Sequence, residues 1–146
     1  MNQPIKVFLI EDNSIDAAHF VKLLSSDSER TFIIERAETL KIATERLKRS
    51  SDIDIIVLDM FLSDSHGLDT FRAISAIISD TPIVISSSLE ETSVALVALR
   101  EGAQDYVVKS QLTTSLLTRM IMYAIERKKF ELALQKGEDK IRMFIE

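Results

Sequence analysis

Apolar residues along the chain fall alternately into short β-branched runs and longer stretches with helical spacing. The short runs lie at 5–10, 31–35, 53–58, 82–87 and 105–109. Runs of this length that are rich in Ile and Val are typical of buried strands in a parallel sheet. Between them apolar residues recur at the helical period, as in the set Ala17, Phe20, Val21 and Leu24. Strict alternation of strand and helix predicts an α/β fold, with a parallel sheet covered by helices on both faces.

The last stretch, from Thr113 onward, predicts one helix of about 30 residues, far longer than the usual mean. Eight of its positions, which we call the seam positions, are spaced alternately by three and four residues, as in a coiled coil. They are Met120, Tyr123, Arg127, Phe130, Leu134, Gly137, Ile141 and Phe144. We therefore expect residues 1–127 to form one domain and residues 128–146 to form a helical extension. A solvated, frayed tail is the alternative, and Gly137 supports it.

Composition narrows the classes of function. The chain has 146 residues, a net charge of −5 and no cysteine. It therefore lacks disulfides, thiolate chemistry and cysteine-ligated metals, and it carries no basic footprint for nucleic acid. It shows neither a signal peptide nor an apolar run near the roughly 18 residues that cross a bilayer. We expect a cytoplasmic protein with no nucleic-acid partner and no membrane contact.

Polar side chains follow four of the five predicted strands, at the point where each strand ends. Glu11 and Asp12 follow the first strand, Asp59 ends the third, Ser87 ends the fourth and Lys109 ends the fifth. In a doubly wound sheet of order 2-1-3-4-5, these four strands are neighbours, and ligands bind outside their carboxyl ends. We therefore expect these side chains to meet in one crevice.

The charges of this set favour a divalent cation. Three acids bring about −3 and Lys109 brings about +1, and oxygen-only ligands suit Mg²⁺ together with a phosphate group. Asp59 could then attack a phosphoryl group and form an aspartyl phosphate, with Lys109 pairing with its charge. A serine hydroxyl could donate to a phosphoryl oxygen; Ser87 is one candidate, and Ser86 and Ser88 are its rivals.

Over residues 5 to about 127 the chain resembles the receiver domain of two-component response regulators. The resemblance rests on the segment Glu11-Asp12-Asn13, on Asp59, Ser87 and Lys109, and on the supporting Gly67 and residues 101–109. It implies a flavodoxin-like sheet of five parallel strands in order 2-1-3-4-5, with five helices of which the last is extended. The spacing to Lys109 in this family selects Ser87 among the three serines.

The resemblance also implies a function. Asp59 is expected to accept a phosphoryl group from a phosphohistidine on a histidine kinase or phosphotransfer protein. Such a domain is a switch and not an enzyme with external turnover, although the full-length protein could carry a kinase or cyclase domain. The surface around the fourth and fifth helices is expected to respond. The implied Mg²⁺ ligands are Asp12, Asp59 and the main-chain carbonyl of Phe61, with Glu11 acting through water, and the implied switch residues are Ser87 and Tyr106.

Two positions depart from the family pattern. Ser110 follows Lys109 where the family usually has a proline in a cis peptide bond, and Ser63 stands where many members have proline. A cis bond before serine is costly, so we expect a trans bond and a differently shaped loop. Neither residue is an expected ligand, so the expectation of phosphoacceptance is unchanged.

Other interpretations remain open. The domain could be a phosphorylation-independent interaction module that dimerises through the face of the fourth and fifth helices or through the extended last helix. A magnesium-dependent phosphatase is disfavoured, because that class typically has a second acid two residues after the nucleophile, where this chain has Phe61. Residues 123–136 resemble the signalling helices that join receivers to a following domain, and residues 141–146 look similar to the opening of a PAS sensor domain. We therefore expect a missing C-terminal domain.

Overall fold

The computed structural model describes residues 3–145, with the side chains of residues 3–138. Five strands form one parallel sheet in the order β2-β1-β3-β4-β5. The strands are β1 (Ile5–Ile10), β2 (Phe32–Ala37), β3 (Ile55–Asp59), β4 (Ile83–Ser87) and β5 (Asp105–Val108). The predicted fold class and strand order are therefore confirmed.

Five α-helices follow the five strands and cover both faces of the sheet. They are α1 (Ser14–Ser25), α2 (Leu40–Arg49), α3 (Leu68–Ile77), α4 (Thr92–Arg100) and α5 (Thr114–Ile145). Helices α2, α3 and α4 pack on one face over Phe8 and Leu58, and α1 and α5 pack on the other over Leu9 and Val57. All five residues of β3 are buried, which explains its continuous apolar run between two acids.

Some predicted boundaries were wrong by one to two residues. Strand β2 continues to Ala37, because its ladder with β1 extends to the pair Ile10 and Ala37. A short 3₁₀ helix (Leu89–Glu91) precedes α4, and a second one (Lys109–Gln111) contains Lys109, which the pattern assigned to the last strand. Val21, one of the apolar residues at helical spacing in α1, is 43% exposed. It follows Phe20 directly, and one residue rotates a side chain about 100° around a helix.

Helix α5 is 32 residues long, as its pattern predicted. Its first half is buried against the sheet through Leu117, Ile121 and Ala124. Three seam positions of α5 are exposed, at 61%, 69% and 63% for Tyr123, Phe130 and Leu134. The side chains of the predicted seam residues at 141 and 144 lie outside the described residues.

Two polar contacts attach the middle of α5 to the body of the domain. Gln104 Nε2 donates to Glu131 Oε2 over 3.0 Å, and Arg127 pairs with Asp105 at 3.5 Å. The helix is therefore tied to the start of β5 as far as residue 131. Among residues 3–145, no helix combines the length and the apolar character of a membrane span.

Candidate functional site

Three charged side chains meet beyond the carboxyl ends of β1, β3 and β5. Glu11 directly follows β1, Asp59 is the last residue of β3, and Lys109 directly follows β5. Because the strands are parallel neighbours, their ends lie at the same edge of the sheet. Glu11 and Asp59 are buried, whereas Asp12 is more accessible.

Lys109 is the cation at the centre of this cluster. Its Nζ lies 2.7 Å from Glu11 Oε1, 2.8 Å from Asp59 Oδ2 and 3.1 Å from Asp16 Oδ2. The sequence pattern did not identify Asp16 as part of the site, because it indicated only that Asp16 is an acid in the first turn of α1. Asp16 is far from Lys109 in the sequence, so no local pattern indicated that the two side chains would meet.

Burial and crowding of like charges change the protonation of this cluster. Burial, together with the hydrogen bond to Asp59, raises the pKa of Glu11 to about 8, and the neighbouring Lys109 opposes this rise. Burial alone would lower the pKa of Lys109, but its close pairing with the carboxylates of Asp59 and Glu11 raises it above the ordinary value. The site is therefore short of positive charge, and Lys109 stays protonated.

The carboxylate oxygens of Glu11, Asp12 and Asp59 lie within 4.8 Å of one another, close enough to share one cation. The Oε1 atom of Glu11 is buried and, although near Lys109, forms no well-oriented hydrogen bond within the described part of the chain. Clustered carboxylate oxygens with one unsatisfied member suit a hard divalent cation. The residues present therefore fit the expected Mg²⁺.

The loop between β3 and α3 is held in a closed shape beside Asp59. Asp59 Oδ1 accepts a hydrogen bond from the backbone N–H of Phe61 at 2.8 Å. The Gly67 N–H donates to the carbonyl of Met60 at 2.8 Å, and the buried Thr70 hydroxyl donates to the same carbonyl at 3.0 Å. Gly67 has φ +74° and ψ −150°, a conformation that is essentially restricted to glycine. The backbone of Phe61 is therefore fixed next to Asp59.

The tip of the same loop is anchored to another helix through Asp64. Its two carboxylate oxygens accept hydrogen bonds from the backbone N–H groups of Leu40 and Lys41, at 2.9 and 3.0 Å. These N–H groups belong to the first turn of α2, where a carboxylate is favoured by the helix dipole. The hydrogen bond from Leu40 is the main cause that lowers the pKa of Asp64. The loop beside Asp59 is thus coupled to α2.

The serines at the end of β4 have different surroundings. The Ser87 hydroxyl donates to the carbonyl of Val107 on β5 over 3.4 Å. Ser86, in register with Asp59, has a buried hydroxyl without a partner among the described residues. Tyr106 is half-buried on β5, in register with Ile85.

The backbone after Lys109 follows the expectation drawn from Ser110. No cis peptide bond is present in residues 3–145, so the bond before Ser110 is trans, as predicted. Residues Lys109–Gln111 form the short 3₁₀ helix. That this loop differs in shape from the loop of family members with proline stays a prediction.

Comparisons with known proteins agree with this geometry. Residues 7–121 match the family model of the response regulator receiver domain. The chain is 29% identical to the transcriptional regulatory protein YdfI of Bacillus subtilis over 115 residues, which is 79% of this chain and 53% of the relative. The cell cycle transcriptional regulator CtrA of Caulobacter vibrioides is 30% identical over 72% of this chain and 44% of the relative. This chain therefore spans about half the length of these curated relatives.

A solved structure shares the fold. The response regulator receiver domain protein from Clostridium thermocellum superposes with a TM-score of 0.75 at 26% identity, over 86% of this chain and 98% of that one. The receiver domain of a sensor histidine kinase from Pseudomonas aeruginosa, solved with a magnesium ion in its active-site cleft, has a TM-score of 0.70 at 21% identity, over 85% of this chain and 99% of that one.

Proposed function

Since the chain belongs to the response regulator receiver domain family, we propose that it is a phosphoacceptor switch in which Asp59 is the residue that becomes phosphorylated. The observation that carries this proposal is the convergence of Glu11, Asp59 and Lys109 at one edge of the sheet. The phosphodonor is a phosphohistidine on a histidine kinase or a phosphotransfer protein. The domain is a signalling module and not an enzyme with external turnover.

The reaction is a transfer between two protein side chains. A carboxylate oxygen of Asp59 forms a bond to phosphorus while the phosphorus–nitrogen bond of the donor breaks, and the imidazole leaves with that electron pair and takes up a proton. Lys109, which already lies 2.8 Å from Asp59 Oδ2, pairs with the charge that arrives. Mg²⁺ bound by Asp12, Asp59 and the Phe61 carbonyl, with Glu11 acting through water, would supply neutralisation of the phosphoryl oxygens.

The output of this switch is a change of surface around α4, β5 and α5. Ser87 donates to Val107 in the resting state. After transfer it donates to the phosphoryl group instead and draws its loop inward. Tyr106 follows it by changing rotamer. This is a local charge event that biases an element with two arrangements.

We also propose that the domain comprises residues 1–127 and that residues 128–146 link it to a further domain of a longer protein. The relatives that it matches are about twice as long as the matched region. The net charge of −5 argues against nucleic acid as a direct partner of this region.

A second candidate function is favoured by the exposed seam positions of α5. Tyr123, Phe130 and Leu134 present apolar surface at helical spacing. This surface would allow two copies to dimerise whether or not Asp59 is phosphorylated. Sedimentation with and without beryllofluoride, a phosphoryl mimic, separates the two candidates, because an oligomeric state that ignores the mimic favours the second.

The decisive experiment is intact-mass measurement after incubation with phosphoramidate or acetyl phosphate and Mg²⁺. We expect the wild type to gain one phosphoryl group and Asp59→Asn to gain none. Asp54→Asn is the matched control, because Asp54 lies just before the opposite end of β3, where it accepts a hydrogen bond from the Lys6 N–H. A wild type that gains no mass, or a gain that survives Asp59→Asn, would contradict the proposal.

A further inference from the structure

Asp16 is a third carboxylate bound to Lys109, and the phosphoacceptor chemistry described above does not use it. It lies in the first turn of α1, and its Oδ2 accepts a hydrogen bond from Lys109 Nζ at 3.1 Å. The other two contacts of Nζ are with Glu11 and Asp59. A lysine ammonium has three N–H donors and no acceptor. In the resting site, therefore, carboxylates occupy as many positions around Nζ as it has donors.

The three carboxylates differ in how easily they can release the ammonium. The exposed fractions of their side chains are 0% for Glu11, 7% for Asp59 and 38% for Asp16. A buried carboxylate that loses its cation is left without solvent, which is costly, whereas a partly exposed one regains water. Asp16 is therefore the partner that Lys109 gives up at the lowest cost.

Asp16 also stands apart from the expected metal ligands. The carboxylates in the described chain that could share one ion are those of Glu11, Asp12 and Asp59, and Asp16 is not in that group. Its contact in the site is with Lys109. Asp16 therefore acts on the site through its contact with Lys109.

We propose that Asp16 is a positioning residue that holds Lys109 in the resting state and competes with the phosphoryl group on Asp59 for its ammonium. This inference rests on the proposed function of Asp59. When a phosphoryl group arrives, Lys109 must turn one donor toward it, and the contact with Asp16 is the one that breaks. The Asp16 carboxylate also repels the incoming anion. Both effects favour the unphosphorylated state.

The test is the affinity for beryllofluoride at saturating Mg²⁺, measured for the wild type, Asp16→Asn and Asp69→Asn. Asp69 is the matched control, because it is an acid in the first turn of α3 and its side chain is 88% exposed. Both variants lose the same favourable contact with a helix dipole. We expect Asp16→Asn to bind the mimic about two to five times more tightly, as for loss of a partly exposed ion pair, and Asp69→Asn to bind as the wild type does.

A second readout does not involve the metal. In ¹⁵N-lysine spectra recorded with a chelator, the Lys109 ammonium protons should exchange with water faster in Asp16→Asn than in the wild type and in Asp69→Asn. Unchanged exchange would show that the contact is not maintained in solution and would overturn the inference.

The remaining outcomes separate the two proposals. A wild type that binds no beryllofluoride contradicts the function of Asp59 itself, and the competition fails with it. A wild type that binds, with Asp16→Asn binding equally or more weakly, contradicts only the role of Asp16. A loss of Mg²⁺ affinity of more than about tenfold in Asp16→Asn would show that Asp16 supports the metal site, as a ligand or through one, and would also overturn the inference.

Discussion

The buried carboxyl of Glu11 should hold a proton at neutral pH in the metal-free protein. Burial and the hydrogen bond to Asp59 raise its pKa from an ordinary 4.5 to about 8. At pH 7 a group with that pKa is protonated in about nine tenths of the molecules. Direct observation is possible by following the side-chain carboxyl carbons by ¹³C NMR through a pH titration. The resonance that Glu11→Gln removes should titrate near pH 8.

This shift makes folding stability depend on pH with a definite sign. Between pH 4.5 and 8 the folded state holds a proton on Glu11 that the unfolded chain has lost. The free energy of unfolding therefore falls as pH rises through this window, by at most about 1.4 kcal/mol per pH unit from this one group. Denaturant titrations in the presence of a chelator, at several pH values, would measure the slope.

Glu11→Gln is the control that isolates the effect. Groups other than Glu11 contribute to the pH dependence of both proteins, so their contributions cancel in the difference between wild type and variant. The wild type should lose stability relative to Glu11→Gln as pH rises. Added Mg²⁺ should lower the titration midpoint, because a cation displaces the proton. A Glu11 resonance that titrates below pH 6, or parallel pH profiles for the two proteins, would refute the reasoning.

Three further perturbations test other parts of the structure. Asp64→Ala removes the acceptor of two N–H groups at the start of α2 and should lower the free energy of unfolding by about 1 kcal/mol. It should also weaken Mg²⁺ binding. If calorimetry gives the same Mg²⁺ affinity as for the wild type, the loop does not need this anchor. Gly67→Ala forces a side chain into a backbone conformation with φ +74° and should destabilise the protein by about 1–3 kcal/mol. Gly137→Ala within α5 should instead stabilise it slightly. Thermal unfolding gives the sign of each change in stability, and equal signs would contradict the strain argument. Arg46→Met removes a guanidinium that binds Glu35 and should lower the free energy of unfolding by roughly 1 kcal/mol. The loss should be smaller at high salt. A loss that salt does not change in chemical denaturation would contradict an ionic origin.

The sequence predicted the sheet and the ends of its strands because both depend on local patterns. Continuous apolar runs identified buried strands, and parallel topology then brought Glu11, Asp59 and Lys109 to one edge. Asp16 was not predicted as part of the site, because its contact with Lys109 depends on the path of a long side chain between two distant elements. No local pattern carries that information.

Two other features depended on tertiary structure in the same way. The charges and strand ends alone left Ser86, Ser87 and Ser88 as candidates, and the hydrogen bond of Ser87 to β5 joins strands that are distant in sequence. The anchoring of Asp64 to the start of α2 likewise joins segments that are 23 and 24 residues apart. Val21 is exposed for a simpler reason, since the buried stripe of α1 is narrower than its set of apolar residues.

The length of α5 gives it the properties of a lever arm. At about 1.5 Å per residue, its 32 residues span about 48 Å. The contacts of Arg127 and Glu131 with the domain form a fulcrum, and the part beyond them extends about 20 Å. A tilt of about 5° at the fulcrum moves the distal turn by about 2 Å, which is comparable to the radius of the helix backbone. A small rearrangement beside β5 would thereby be amplified mechanically at a distance from Asp59.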